Sequence, residues 1–134
     1  MEKEASVAQP AQYFIDLKWY EQNNRSFVDL AKHMVCAKCR KKLTAKGKEP
    51  KASDIITVIH TCCNNEPDFI TGKQPLITSV FRTLLANGNK PMDIETLSRQ
   101  LNQKRGGDIS RASVQTLSRL LSNDQYYGIR EIKE

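Results

Sequence analysis

The sequence is short of aromatic side chains, of histidine and of any long apolar run. Phe, Tyr and Trp make up 7% of the 134 residues, few large side chains for a big core, so something besides packing is expected to stabilise part of the fold. No stretch approaches the roughly 20 consecutive apolar residues of a membrane-spanning helix, and the N-terminal MEKEASVAQPAQ lacks the apolar core of a secretory signal. A soluble, cytoplasmic protein without a membrane partner is therefore expected. Neither of the two histidines is accompanied by an evident nucleophile or a paired-carboxylate motif, so neither enzymatic activity nor a small-molecule substrate is expected. At 39% hydrophobic residues, the chain is too apolar to be wholly disordered.

Positive charge is abundant but unevenly placed. Lys38, Arg40, Lys41, Lys42, Lys46, Lys48 and Lys51 face a single acid, Glu49, within fourteen residues, so this segment alone matches the +6 of the whole chain. Arg99, Lys104, Arg105, Arg111 and Arg119 against Asp108 form a second cluster of +4, leaving the remainder at −4. Two basic patches on a mildly acidic body suit a phosphate backbone, because several Lys and Arg contacts release counterions together. Taken alone, the lysine segment is equally well read as a solvated loop.

Cys36, Cys39, Cys62 and Cys63 all lie within 28 residues. In a reducing compartment structural disulfides are rare, so a C-x-x-C separated by 22 residues from two further thiols reads as a structural zinc site. Two sulfurs three residues apart on a tight turn can chelate one tetrahedral ion, while the turn's N–H groups bond to the thiolates. Two ligand sets are open: all four cysteines, or His60 with Cys63 as an H-x-x-C knuckle. The four-cysteine set is preferred because it leaves no spare thiol. His33, just ahead of the cluster, reads as a surface or second-sphere residue. Four protein ligands would leave no open position for catalysis.

Residues 1–12 read as disordered, 13–72 as a zinc-binding unit and 73–134 as a mainly helical domain, an α+β protein overall. Tyr13, Ile15, Leu17 and Trp19 alternate as in a strand, although Phe14, Leu17 and Tyr20 also fit a helix. Ser26 with Asp29 predicts a helix start before Phe27. Lys41 to Pro50 reads as an exposed loop, and the β-branched Asp54 to His60 as a strand entering Cys62. A unit of about 60 residues has little apolar area, and structural zinc supplies of order 10 kcal/mol to such modules. Three helical patterns follow. Leu76, Ile77, Val80, Phe81, Leu84 and Leu85 form the first face, closed by Asn87-Gly88; Asp93 caps the second over Ile94, Leu97 and Leu101; Gly106-Gly107 ends it. Ser110 is expected to cap the third, with Val114, Leu117, Leu120 and Leu121 inward, before a short extended segment at Tyr126 to Ile132.

This order is that of a winged helix-turn-helix. Phe81 to Ile132, with Gly88-Asn89-Lys90-Pro91-Met92 ahead of the second helix and Tyr127-Gly128-Ile129-Arg130 at the end, resembles the HARE-type winged-helix domain carried by bacterial RNA polymerase delta subunits and chromatin-associated proteins. The departure is at the end, where a full wing needs two strands and the chain has room for little more than one. The first C-x-x-C resembles a zinc-ribbon or treble-clef knuckle, from which the adjacent Cys62-Cys63 pair departs. The combination is also similar to small uncharacterised bacterial proteins, a likeness that implies no activity. A small DNA-binding regulator is the reading these features support, with an adaptor on RNA polymerase or another protein partner as the alternative. In the regulator reading, Arg111, Gln115, Arg119 and Ser122, with Ala112 between them, form the outer face of a recognition helix, where Arg and Gln can each bond a base in two places. Lys38, Arg40, Lys41 and Lys42, with Arg99, Lys104 and Arg105, would hold phosphates.

Overall fold

The computed structural model describes residues 11–44, 50–105 and 112–132. The fold is α+β. The chain begins with strand β1 (Gln12–Ile15), whose alternation buries Tyr13 and Ile15. Asp16 ends the strand: its carboxylate accepts from Lys18 N–H at 3.1 Å and starts helix α1 (Leu17–Gln22), which buries Trp19 and Tyr20. The alternating stretch thus divides, with a strand where Tyr13 and Ile15 face inward and a helix beyond. Ser26 caps α2 (Phe27–Ala31) by accepting from Asp29 N–H at 3.0 Å, and a 3-10 turn (Lys32–Met34) leads to Cys36.

Helix α3 (Ala37–Thr44) occupies the first part of the expected lysine loop, while Lys46 and Lys48 lie outside the described residues. The expected strand at Asp54 to His60 is instead α4 (Ala52–Thr61). Here pattern overrides propensity. Ile55 and Ile59 stand four residues apart, both fully buried, and burying each contributes about 1.5–3 kcal/mol, more than the few tenths that β-branching costs in a helix. The helix also satisfies its two threonine hydroxyls, Thr57 and Thr61, which donate to the Ser53 and Thr57 carbonyls at 2.8 Å.

Helix α5 (Leu76–Ala86) forms the centre of the core, burying Val80, Phe81, Leu84 and Leu85 against α4, α6 and β1. Strand β2 (Met92–Asp93) precedes α6 (Ile94–Lys104), capped as expected by Asp93, whose carboxylate accepts from Thr96 N–H at 2.8 Å. Helix α7 (Val114–Ser122) is capped by Ser113 rather than Ser110, which lies outside the described residues with Gly106, Gly107 and Arg111. Leu117 and Leu121 are buried as expected, but Val114 is 39% exposed at the protruding first turn, and Ala112 is fully buried rather than outward, its carbonyl accepting from Ser98 Oγ.

Strand β3 (Ile129–Glu131) ends the described fold. The sheet is antiparallel in the order β2-β1-β3, so the third strand comes from the N-terminus: Tyr13 pairs with Met92 on one side, and Phe14 with Arg130 on the other. Ile15 finds its β2-side partner in a side chain. Asn89, in the left-handed region at φ 58°, accepts from Ile15 N–H at 2.8 Å and donates to its carbonyl at 2.9 Å. Segments 13–72 and 73–134 consequently share one sheet and one hydrophobic core. Among the described residues no helix is long and apolar enough to cross a membrane.

Candidate metal centre

Residues from two segments meet at the start of α3. Val35 is extended, at ψ 137°, and brings Cys36 to the helix N-terminus, where its Sγ accepts the backbone N–H of Cys39. The other two thiols arrive at the end of α4. Asn64 holds that end by donating its side-chain amide to the Ile59 carbonyl at 2.9 Å, and a 3-10 turn (Cys63–Asn65) follows. At Cys62 the backbone breaks from the helix, with φ −137° and ψ −62°. This break is what lets two adjacent cysteines approach the same C-x-x-C, since neighbours in a regular helix diverge by about 100°.

Sγ atoms of Cys36, Cys39 and Cys62 lie within 4.8 Å of one another. Cys63 Sγ is 3.3 Å from Cys36 Sγ and accepts from Cys36 N–H at 3.2 Å. Sulfurs about 2.3 Å from a tetrahedral zinc stand roughly 3.8 Å apart, so the three mutually close sulfurs are within reach of one ion, and Cys63 adjoins them through Cys36. All four cysteines are free thiols, with Cys39 and Cys63 buried. Burial pushes the Cys39 and Cys63 thiols up from their ordinary values, whereas the N–H of Cys39 draws Cys36 down. Without a compensating cation the buried pair disfavours thiolate; a coordinated divalent ion reverses that preference. The cluster could therefore hold a metal ion, and its donors are all sulfur.

His60 is not part of this group. It faces the end of α5, with Nδ1 2.7 Å from the Ala86 carbonyl. His33 is exposed on the turn before Cys36. Arg82, which the sequence reading did not single out, shares with Cys36 and Cys63 a cavity of about 360 Å³. Its guanidinium donates to the Phe69 carbonyl at 3.0 Å and lies over the Phe69 ring, and burial lowers its pKa. Position 82 interrupts an apolar helix face, the one signal by which it could have been found.

The basic residues divide into those that reach solvent and those that hold the fold. On α3, Lys38, Lys41 and Lys42 are exposed, while Arg40 turns back to the Val35 carbonyl at 3.1 Å. Lys51 is exposed at the start of α4. Arg99 and Lys104 are exposed on α6, but Arg105 is drawn inward, donating to the Gln74 carbonyl at 2.8 Å and Ser79 Oγ at 2.7 Å. That arrangement fixes the 71–74 turn against the end of α6. On α7, Gln115, Arg119 and Ser122 lie on the exposed side, joined by Ser118. No family model, curated protein or solved structure matches the chain.

Proposed function

We propose that the protein is a small nucleic-acid-binding regulator whose basic helix α3 is anchored by a structural zinc ion on Cys36, Cys39, Cys62 and Cys63. The observation that carries this reading is the convergence of Cys36, Cys39 and Cys62 at the root of α3, with Cys63 Sγ 3.3 Å from Cys36 Sγ, on the helix that exposes Lys38, Lys41 and Lys42. Zinc fits because all the donors are thiols, no histidine or carboxylate joins the described cluster, and a four-sulfur set closes the coordination sphere. The ion would tie α3 to the end of α4, giving a helix of eight residues an orientation that its short length cannot hold alone. Arg82 would offset part of the negative charge of the four thiolates.

The order α5-β2-α6-α7-β3, with β1 completing the sheet, supports a winged-helix-like arrangement for residues 76–132. In that arrangement α7 offers Gln115 and Arg119 to a base edge, and α6 offers Arg99 and Lys104 to phosphates. The lysines of α3 would contact the backbone without selecting sequence, as flexible point charges do. A fluorescence titration against mixed-sequence duplex DNA at about 50 and 150 mM salt tests the reading. Each phosphate contact adds about 0.9 to the slope of log affinity against log salt, so Lys38→Ala with Lys42→Ala should flatten it by nearly 2. Absence of binding at about 50 mM salt contradicts the proposal and leaves a protein-docking adaptor with a structural metal as the alternative.

A further inference from the structure

A protein with so few aromatic residues places one of them in solvent. Tyr126 is 53% exposed, and it and Val114 are the exposed large apolar side chains among the described residues. The ring is nonetheless held firmly. Arg25 lies 5.1 Å from its centroid and donates to the Tyr126 carbonyl at 3.3 Å, and Tyr127 meets it edge-on at 4.7 Å. Tyr126 forms one wall of a groove of about 740 Å³ between the first turn of α5, α7 and the 123–127 loop. Ile77, Leu120 and Tyr127 give its lining apolar surface, joined by Gln125 and by Asn123, whose amide N–H₂ donates to the Arg119 carbonyl at 3.0 Å and leaves its oxygen available.

The solvent-facing charge of this groove is positive. Arg119 lies on its border, and the sole carboxylate in the lining, Asp124, is turned into the protein, where it accepts from Tyr126, Tyr127 and Ile129 N–H at 3.0, 3.1 and 2.9 Å. Arg25 adds a second cation against the wall. We infer that this groove seats an unpaired nucleobase stacked on Tyr126, supplied by a single-stranded segment or frayed end of the nucleic acid the protein binds. The inference rests on the proposed nucleic-acid function and specifies its ligand. A flat ring matches a pre-oriented aromatic wall and an apolar lining, Asn123 and Gln125 can bond a base edge, and Arg119 and Arg25 can meet the flanking phosphates. A duplex interior offers no such ring, because its bases are already stacked.

The test uses the full-length, metal-loaded protein with fluorescein-labelled dT12 and a 12-base-pair duplex at about 50 mM salt. Tyr126→Ala should weaken dT12 binding roughly 5- to 150-fold, the cost of removing one base–aromatic stack, while Tyr126→Phe stays within about 2-fold of wild type. In an amide NMR titration with dT12, residues 77–78, 120 and 123–127 should shift. Equal dT12 affinity for wild type and Tyr126→Ala overturns the inference while duplex binding still supports the function; failure of both ligands to bind removes both. A sedimentation shift with protein concentration that Tyr126→Ala abolishes would assign the groove to a second copy of the chain. Saturation by an acidic peptide, with no response to dT12, would assign it to a protein; either result overturns the inference.

Discussion

Replacing Asp124 should unlock the end of the fold, and the loss can be worked from its three hydrogen bonds. The side chain is 6% exposed and its two oxygens accept from three consecutive-turn donors, Tyr126, Tyr127 and Ile129 N–H. Asp124→Ala leaves all three without an acceptor. Water can reach the one belonging to exposed Tyr126, so two buried donors dominate, at about 1.5–2 kcal/mol each, or about 3–4 kcal/mol together. For a chain of this length that corresponds to a fall in melting temperature of about 10–15 °C. Asp124→Asn should cost less, about 2 kcal/mol, because the amide oxygen keeps two of the bonds and only Ile129 faces a competing N–H₂ group. Urea denaturation followed by circular dichroism at pH 7 measures both. A loss under 1 kcal/mol for Asp124→Ala, or a larger loss for Asn than for Ala, would refute the role of these bonds in docking β3 against β1.

Other perturbations follow from single contacts. Gly128→Ala should destabilise by at least about 2 kcal/mol in the same denaturation assay, because φ is +67° there and a Cβ would stand 2.9 Å from both Trp19 and Tyr20 ring atoms. Asp93→Ala should cost about 1 kcal/mol at pH 7. Thr96 N–H holds the Asp93 carboxyl below its ordinary value. The native carboxylate is therefore favoured above the unfolded pKa of about 4, and the difference between Asp93→Ala and wild type should shrink as pH falls through the lower folded value. Metal analysis should find His60→Ala fully loaded and Cys62→Ser depleted; the reverse result would move the fourth ligand to the histidine.

Parts of this fold are written locally and parts are not. The helix starts at Ser26 and Asp93 follow from a side chain and an N–H three residues on, and the inward faces of α5 and α6 from apolar spacing. The cysteine cluster was legible for the same reason, since C-x-x-C chelation is a property of one turn, although the break at Cys62 that admits adjacent thiols was not. The Asp54–His60 segment misleads because β-branched residues favour strands, whereas burial of Ile55 and Ile59 on one side decides for α4. Strand β1 pairs with residues about 80 and 115 positions away, a distance no local pattern reports. Arg105 looks like a surface cation in sequence, and only the 71–74 turn packed against it reveals its internal bonds. In sequence Tyr126 is part of an extended segment; its placement depends on a local turn held by Asp124 and on Arg25, about 100 residues away.

The proposed zinc ion would be held by four thiolates where α3 meets α4. X-ray absorption at the zinc edge, with elemental analysis of the same purified sample, tests it most directly. One zinc per chain surrounded by four sulfurs at about 2.3 Å is the expected result. A chain without bound metal, or a zinc ion with a nitrogen ligand in its coordination sphere, would contradict it.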